Sequence, residues 1–159
     1  MKKYCYNSPV GKLWIAEKEG KLSHILFEDV LLCEIEKTSV IDSVCKQLDE
    51  YFAGQRKTFD IPLCIEGTSF QQKVWKALLT VEYGKTATYG DIAKLIGQPE
   101  ASRAVGGANN KNKIPIIIPC HRIIGKNGTL TGYAGGLDIK QYLLDLESKF
   151  VLSLKKHTD

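Results

Sequence analysis

The apolar positions of the chain form short β-suitable runs near its start and helix-spaced sets further along. Leu13-Trp14-Ile15-Ala16 and Leu22-Ser23-His24-Ile25-Leu26-Phe27 flank Glu19-Gly20, which reads as a hairpin turn between two strands. Val44, Leu48, Tyr51 and Phe52 then share one face of a helix that Asp42 or Ser43 can cap, and Gly54 stands where helices often end. A short strand from Phe59 to Cys64 leads to Glu66-Gly67, the expected domain boundary.

Beyond that point the pattern is mostly helical. Thr68 or Ser69 caps a helix to about Leu79 that turns Phe70, Val74, Ala77 and Leu78 inward. Thr88, with Asp91 three residues later, fits a capping box ahead of Ile92, Ala93, Leu95 and Ile96, and Gly97 ends that helix. A second short helix is expected after Pro99, ending near Gly106-Gly107, so the pair has the outline of a helix-turn-helix. Prolines bracket Ile114-Pro115-Ile116-Ile117-Ile118-Pro119-Cys120-His121, which should be extended and buried. A last helix starts near Asp138 and packs Leu143, Leu146 and Phe150, before a polar, frayed end over 153–159. The expected fold class is α/β in the α+β sense. A small N-terminal antiparallel β-sheet with a helix (1–66) precedes a mainly helical C-terminal domain with a helix-turn-helix (67–159).

Composition narrows the class. The chain has 159 residues, 43% apolar and 25% charged, as a soluble globular protein of one or two small domains would. No apolar run approaches the roughly 18 residues of a membrane span. The basic start, Met1-Lys2-Lys3-Tyr4-Cys5, lacks the apolar core of a signal peptide, so a cytoplasmic location is expected. Five cysteines (Cys5, Cys33, Cys45, Cys64 and Cys120), odd in number and without close spacing, suit free thiols in a reducing compartment. The net charge of +4 is unevenly placed: residues 1–64 hold 9 basic and 10 acidic side chains, and residues 70–130 hold 9 basic and 3 acidic. That asymmetry suits an anionic partner on the second half, a solvated lysine surface being the plainer alternative.

Cys120 ends the buried segment, with His121 and Arg122 following it. A thiol attacks as its thiolate, and nearby His or Arg raises the thiolate fraction. Neighbours on an extended chain point opposite ways, so His121 would need a bridging water or a turn to serve Cys120. Glu147 on the last helix is the natural third group, able to orient and polarise the imidazole. From these residues alone, a packed thiol beside a satisfied histidine, a cysteine hydrolase and a helix-turn-helix transcription factor all stay open.

A wider set of motifs resembles the O6-alkylguanine-DNA alkyltransferases. Ile118-Pro119-Cys120-His121-Arg122-Ile123-Ile124 is similar to that family's active-site motif. Arg103-Ala104-Val105-Gly106-Gly107-Ala108-Asn109 and Gly132-Tyr133-Ala134-Gly135-Gly136 match the blocks on either side of it. Phe70-Gln71-Gln72-Lys73-Val74-Trp75 and Tyr89-Gly90-Asp91-Ile92-Ala93 also resemble family blocks, in the expected order, and Ser8-Pro9-Val10-Gly11 is similar to the family's opening hairpin. The likeness is strong from 68 to 148 and looser before that.

The resemblance implies a protein that moves an alkyl group from O6 of guanine in double-stranded DNA onto Cys120 and is consumed by one turnover. It implies a minor-groove helix-turn-helix whose Arg103 fills the gap left by the flipped nucleotide. Ala101, Ser102, Gly106 and Gly90 would lie close to the sugar-phosphate surface, with Lys73 and Lys126 as phosphate contacts. Tyr89 would help turn the 3′ phosphate and donate a proton towards the departing guanine. Asn112 would brace the turn bearing the nucleophile. Tyr133 and the amide of Ala134 would close over the guanine, where many relatives carry serine at the second position. Backbone carbonyls of Cys120 and Ile123 would read its amino group. No cofactor is needed and a monomer is expected. The alkyltransferase-like lesion binders share most of these blocks but lack the cysteine. Some family members bind zinc in the N-terminal domain; here only Cys5 and His24 lie near that region, and four ligands would be needed, so no metal is expected.

Overall fold

The computed structural model describes the backbone of residues 1–156 and the side chains of residues 1–152. It divides into two compact units, Met1–Ile65 and Glu66 onwards.

The first unit is built on β1 (Lys2–Ser8), β2 (Gly11–Lys18), β3 (Lys21–Leu26), β4 (Glu34–Ile35) and α1 (Ser39–Phe52). Glu19 and Gly20 both adopt positive φ (53° and 79°), the geometry that a two-residue hairpin turn requires, and they join β2 to β3. The sheet order is β3-β2-β1-β4. Three strands are antiparallel as expected, but β4 runs parallel to β1, so the sheet is mixed. Helix α1 begins earlier than Asp42: Thr38 is the N-cap, its hydroxyl accepting from the Ile41 amide. Its buried face, Ile41, Val44, Leu48 and Tyr51, forms the core with Leu13, Ile15, Leu22 and Ile25 from the sheet. The expected strand from Phe59 to Cys64 is reduced to one bridge, where the Leu22 amide bonds to Pro62 O and the Cys64 amide to Leu22 O. Pro62 has no amide with which to extend a ladder.

The second unit contains α2 (Ser69–Leu78), β5 (Ala87–Thr88), α3 (Tyr89–Leu95), α4 (Ser102–Asn110), β6 (Ile123–Ile124) and α5 (Leu137–Lys156). Both α2 and α3 open with complete capping boxes, Thr68 with Gln71 and Thr88 with Asp91. Trp75, which the inward face left out, is the largest buried side chain of α2, and its indole donates to Ala108 O (2.8 Å), fixing α2 to α4. Helix α4 does not stop at Gly106-Gly107 but runs through both to Asn110. The last helix continues to Lys156, so the frayed end expected from residue 153 is helical that far; residues 157–159 lie outside the described residues. Among the described residues no helix is long and apolar enough to cross a membrane.

Candidate active site

Residues 112–122 differ most from expectation. The segment is buried throughout, apart from Lys113, but it is not extended. Ile116 adopts φ 76°, the Ile118 amide reaches back to Ile114 O (2.9 Å), and Cys120–Arg122 form a turn of 3-10 helix. A β-branched residue at positive φ is strained and persists only where its surroundings hold it. Asn112 supplies that hold: its amide nitrogen donates to Ile118 O (2.8 Å) and its oxygen accepts from the Ile114 amide (3.0 Å). The chain therefore turns at Cys120 and His121, where an extended strand was expected.

Cys120 is 5% exposed, and burial pushes its thiol up to about 11; the Asn112 side chain and the charge of Lys140 work in the opposite direction. His121 is completely buried, and burial holds it below its ordinary value, so it is neutral at physiological pH. Its Nε2 meets Glu147 Oε2 at 2.6 Å, while its Nδ1 has no hydrogen-bond partner among the described residues. Paired with a carboxylate, Nε2 carries the proton and Nδ1 keeps its lone pair, the form a proton acceptor needs.

Glu147 is the hub. Besides His121 it accepts from Arg122 Nε (2.8 Å) and Nη2 (3.1 Å), and from the Gly84 amide (3.2 Å). Burial opposes the Glu147 carboxylate, but the hydrogen bonds from His121 and Arg122, with the Arg122 charge, overcome it and bring the carboxyl down to about 2. Arg122 is locked in turn by Val81 O (2.6 Å) and by the Tyr83 ring. A cavity of about 330 Å³ opens behind Glu147, lined in part by Gly84, Gln141, Asp145 and Ser148. Cys120 and Tyr133 do not line it.

Around this centre the other residues fall into groups. Tyr89, first residue of α3, bonds through its hydroxyl to Thr131 Oγ1 (2.6 Å), which ties the start of the helix-turn-helix to the loop carrying Tyr133 and Ala134. A β-carbon on Gly106 would lie 3.8 Å from the Tyr89 ring, and one on Gly90 would lie 3.8 Å from Ser102 Oγ, so Tyr89, Gly90, Ser102 and Gly106 share one small-residue surface. Ala101 is the N-cap residue of α4, and Arg103 next to Ser102 is exposed, with no ion pair among the described residues. Gly132 sits where a β-carbon would come 2.9 Å from Asn110 Oδ1, so the loop can lie there only without a side chain. Tyr133 is partly exposed, burial raises its hydroxyl well above the ordinary value, and Ala134 is exposed. Ile123 pairs with Ala87 in the parallel β5–β6 ladder. Lys73 on α2 and Lys126 after β6 are exposed, and the structure shows no contact between them. Cys5 and His24 lie on β1 and β3, with β2 between them.

Two residues were missed. Arg122 looked like a charge beside the thiol and is the clamp on Glu147. Lys140 donates to Ile123 O (2.6 Å) and Thr131 O (2.7 Å) from a wholly buried position. Its spacing of three from Leu143 and seven from Glu147, on the inward stripe of α5, was a visible signal.

Two family models between them match most of the chain. Residues 1–65 match the 6-O-methylguanine DNA methyltransferase, ribonuclease-like domain, and residues 69–149 the 6-O-methylguanine DNA methyltransferase, DNA binding domain. The chain is 51% identical over 148 residues to a methylated-DNA–protein-cysteine methyltransferase of Methanosarcina acetivorans, covering 89% of this chain and 95% of that one. It is 47% identical over 150 residues to the constitutive methylated-DNA–protein-cysteine methyltransferase of Bacillus subtilis, covering 88% and 91%. The crystal structure of Mycobacterium tuberculosis OGT in complex with DNA superposes with a TM-score of 0.89 at 44% identity, covering 94% of each chain. On fold, motifs and identity, the chain belongs to the 6-O-methylguanine DNA methyltransferase family.

Proposed function

We propose that Cys120 is the alkyl acceptor, His121 and Glu147 its activating pair, and Asn112 the brace that holds the turn. As a member of its family the chain repairs DNA by transferring an alkyl group onto one of its own cysteines. The observation that carries the assignment is the buried Cys120-His121 turn with His121 Nε2 bound to Glu147 and Nδ1 left open. The thiol proton passes towards His121 Nδ1, and the Glu147 carboxylate stabilises the imidazolium that forms. The sulfur attacks the alkyl carbon, an S–C bond forms as the C–O6 bond breaks, and guanine leaves protonated. Tyr89 is the proton donor on the guanine side. The thioether is not reversed by thiol exchange, which acts on disulfides, so each molecule acts once.

The substrate in this reading is double-stranded DNA carrying O6-alkylguanine, bound by a monomer in the cytoplasm at the nucleoid. The alkyl-transfer domain is 67–159 and the supporting β-sheet domain is 1–66. Arg103 replaces the extruded nucleotide. Gly90, Ala101, Ser102 and Gly106 admit the sugar-phosphate backbone, and Lys73 and Lys126 meet phosphates. Tyr133, the Ala134 amide and the Ile123 carbonyl contact the base. Ile123 O already accepts from Lys140, and its second lone pair leaves room for the guanine amino group.

Intact-mass measurement with excess duplex carrying one O6-methylguanine tests the assignment. One methyl mass on Cys120, followed by no further gain, is expected. Cys120→Ser should bind DNA and gain nothing. Repeated turnover, or a methyl group on Cys5 or Cys64, would overturn the assignment.

A further inference from the structure

The loop after β6 meets the start of α3 through one short bond between hydroxyls. Tyr89 Oη and Thr131 Oγ1 stand 2.6 Å apart, and neither makes another hydrogen bond among the described residues. Both residues are half-buried. Thr131 is held at each of its polar and apolar groups. Its carbonyl accepts from Lys140 (2.7 Å), its methyl lies 3.4 Å from where a β-carbon on Gly125 would stand, and its hydroxyl meets Tyr89. The next residue, Gly132, is seated against the end of α4, where a β-carbon would come 2.9 Å from Asn110 Oδ1. The backbone on both sides of the Thr131 side chain is therefore anchored, and the hydroxyl is aimed at one oxygen.

Either hydroxyl of this pair can donate to the other. The choice matters once Tyr89 gives its proton to the departing guanine, because its oxygen is then an anion away from bulk water. A donor to the charged form of a group favours that form, and an O–H bond to an anionic oxygen is stronger than one between neutral hydroxyls. By turning about its C–O bond, Thr131 directs its proton at the Tyr89 oxygen. The protons balance. The thiol proton goes to His121, the S–C bond forms as the C–O6 bond breaks, and the Tyr89 proton goes to guanine. The imidazolium and phenolate that remain are discharged afterwards by exchange with water.

We infer that Thr131 is a positioning residue for alkyl transfer, whose hydroxyl holds the Tyr89 oxygen and donates to it as the Tyr89 proton passes to guanine. The inference rests on Tyr89 being the proton donor. The same bond ties the loop carrying Tyr133 to α3, so the test must separate help to the departing base from tethering.

Single-turnover rates at saturating protein on two duplexes make that separation, one carrying O6-methylguanine and the other O6-methyl-8-azaguanine. The added ring nitrogen gives a more acidic departing base, which depends less on a proton donor. Thr131→Val keeps the shape and loses the hydroxyl. It should slow transfer from O6-methylguanine by about tenfold or more, the usual effect of losing a hydrogen bond to a charged oxygen, and from the aza duplex by about threefold or less. Thr131→Ser keeps the hydroxyl and should stay within about threefold of wild type on both. In a Tyr89→Phe background, Thr131→Val should cause no further loss. Wild-type rates for Thr131→Val, an equal loss on both duplexes, a Thr131→Ser variant as slow as Thr131→Val, or a full additional loss in the Tyr89→Phe background would each overturn the inference. A Tyr89→Phe variant that repairs O6-methylguanine at the wild-type rate would instead overturn the assignment of Tyr89 as donor. If Thr131→Val does not fold, Thr131→Ala takes its place with the same expected and overturning results.

Discussion

Lys3 and Lys140 are both buried, one in each unit, and their surroundings differ in kind. Lys3 donates to Asp29 Oδ1 (2.5 Å) and to Leu31 O (2.6 Å), so its charge is balanced by a carboxylate that is 42% exposed. Among the described residues Lys140 has only carbonyls. Among other interior polar contacts of the first unit, Tyr6 donates to Asp49 (2.5 Å), and Gln47 exchanges bonds with the backbone of Asp60 (2.9 and 3.0 Å). Each of these closes a local polar account and holds a loop or helix in place. The second unit gathers His121, Arg122, Lys140 and Glu147 in one interior, an arrangement that a hydrophobic core of the same volume would match or exceed in stability. Buried polarity in the first unit is architecture, whereas in the second it is arranged around a single sulfur.

The sharpest break in that contrast comes at Glu147. Glu147→Gln should slow single-turnover transfer by about 10²–10⁴-fold while leaving DNA binding nearly intact. An unchanged rate would remove Glu147 from the relay. The same carboxyl gives the second unit an acid-sensitive joint. Its folded pKa of about 2 lies below the ordinary 4.5, so its contribution is full above about pH 4.5 and is lost as pH falls towards 2. Denaturant titrations should show wild type losing on the order of 3 kcal/mol more than Glu147→Gln across that window.

Arg103→Ala tests the proposed DNA-facing edge of the same unit. It should slow repair in duplex DNA more than reaction with the free base, which needs no extrusion; equal losses would count against a finger. Replacing Lys73 or Lys126 should instead flatten the salt dependence of binding by about one unit of slope each.

Alkylation itself should loosen the second unit. Added methylenes in a packed site cost roughly 1–3 kcal/mol, and a lost charge-assisted bond about 1 more. The melting midpoint should then fall by on the order of 3–8 °C, further with benzyl than with methyl. A midpoint that stays or rises would show that the pocket absorbs the adduct without strain. The smallest effect belongs to the first unit: Tyr6→Phe should lower stability by about 1 kcal/mol and leave the transfer rate unchanged. Slower transfer in that variant would break the division between the two units.

Local chemistry made much of this legible. The capping boxes at Thr68 and Thr88 and the turn at Glu19-Gly20 are set by side chains a few residues apart, and each forms where the sequence places it. The motifs around Cys120 named the acceptor candidate and its partners, and the His121–Glu147 bond was foreseen across 26 residues. What escaped depends on tertiary hold. Positive φ at Ile116 runs against β-branched preference and exists because Asn112 ties both sides of the turn. Helix α4 passes through Gly106-Gly107, where propensity alone would end it, with Val105 and Ala108 buried on either side. Lys140 escaped because an inward lysine reads as an error in an apolar stripe until its partners are seen.

The resting protonation of Cys120 has a consequence for how long a molecule lasts before it is used. A protein that acts once has no second sulfur to offer, so every encounter with an oxidant or stray electrophile is a potential misfire. Peroxides and soft electrophiles take thiolates that are exposed. A thiol that is 5% exposed and titrates at about 11 offers them almost nothing in the free protein. The structure therefore favours shelf life over standing reactivity at this sulfur.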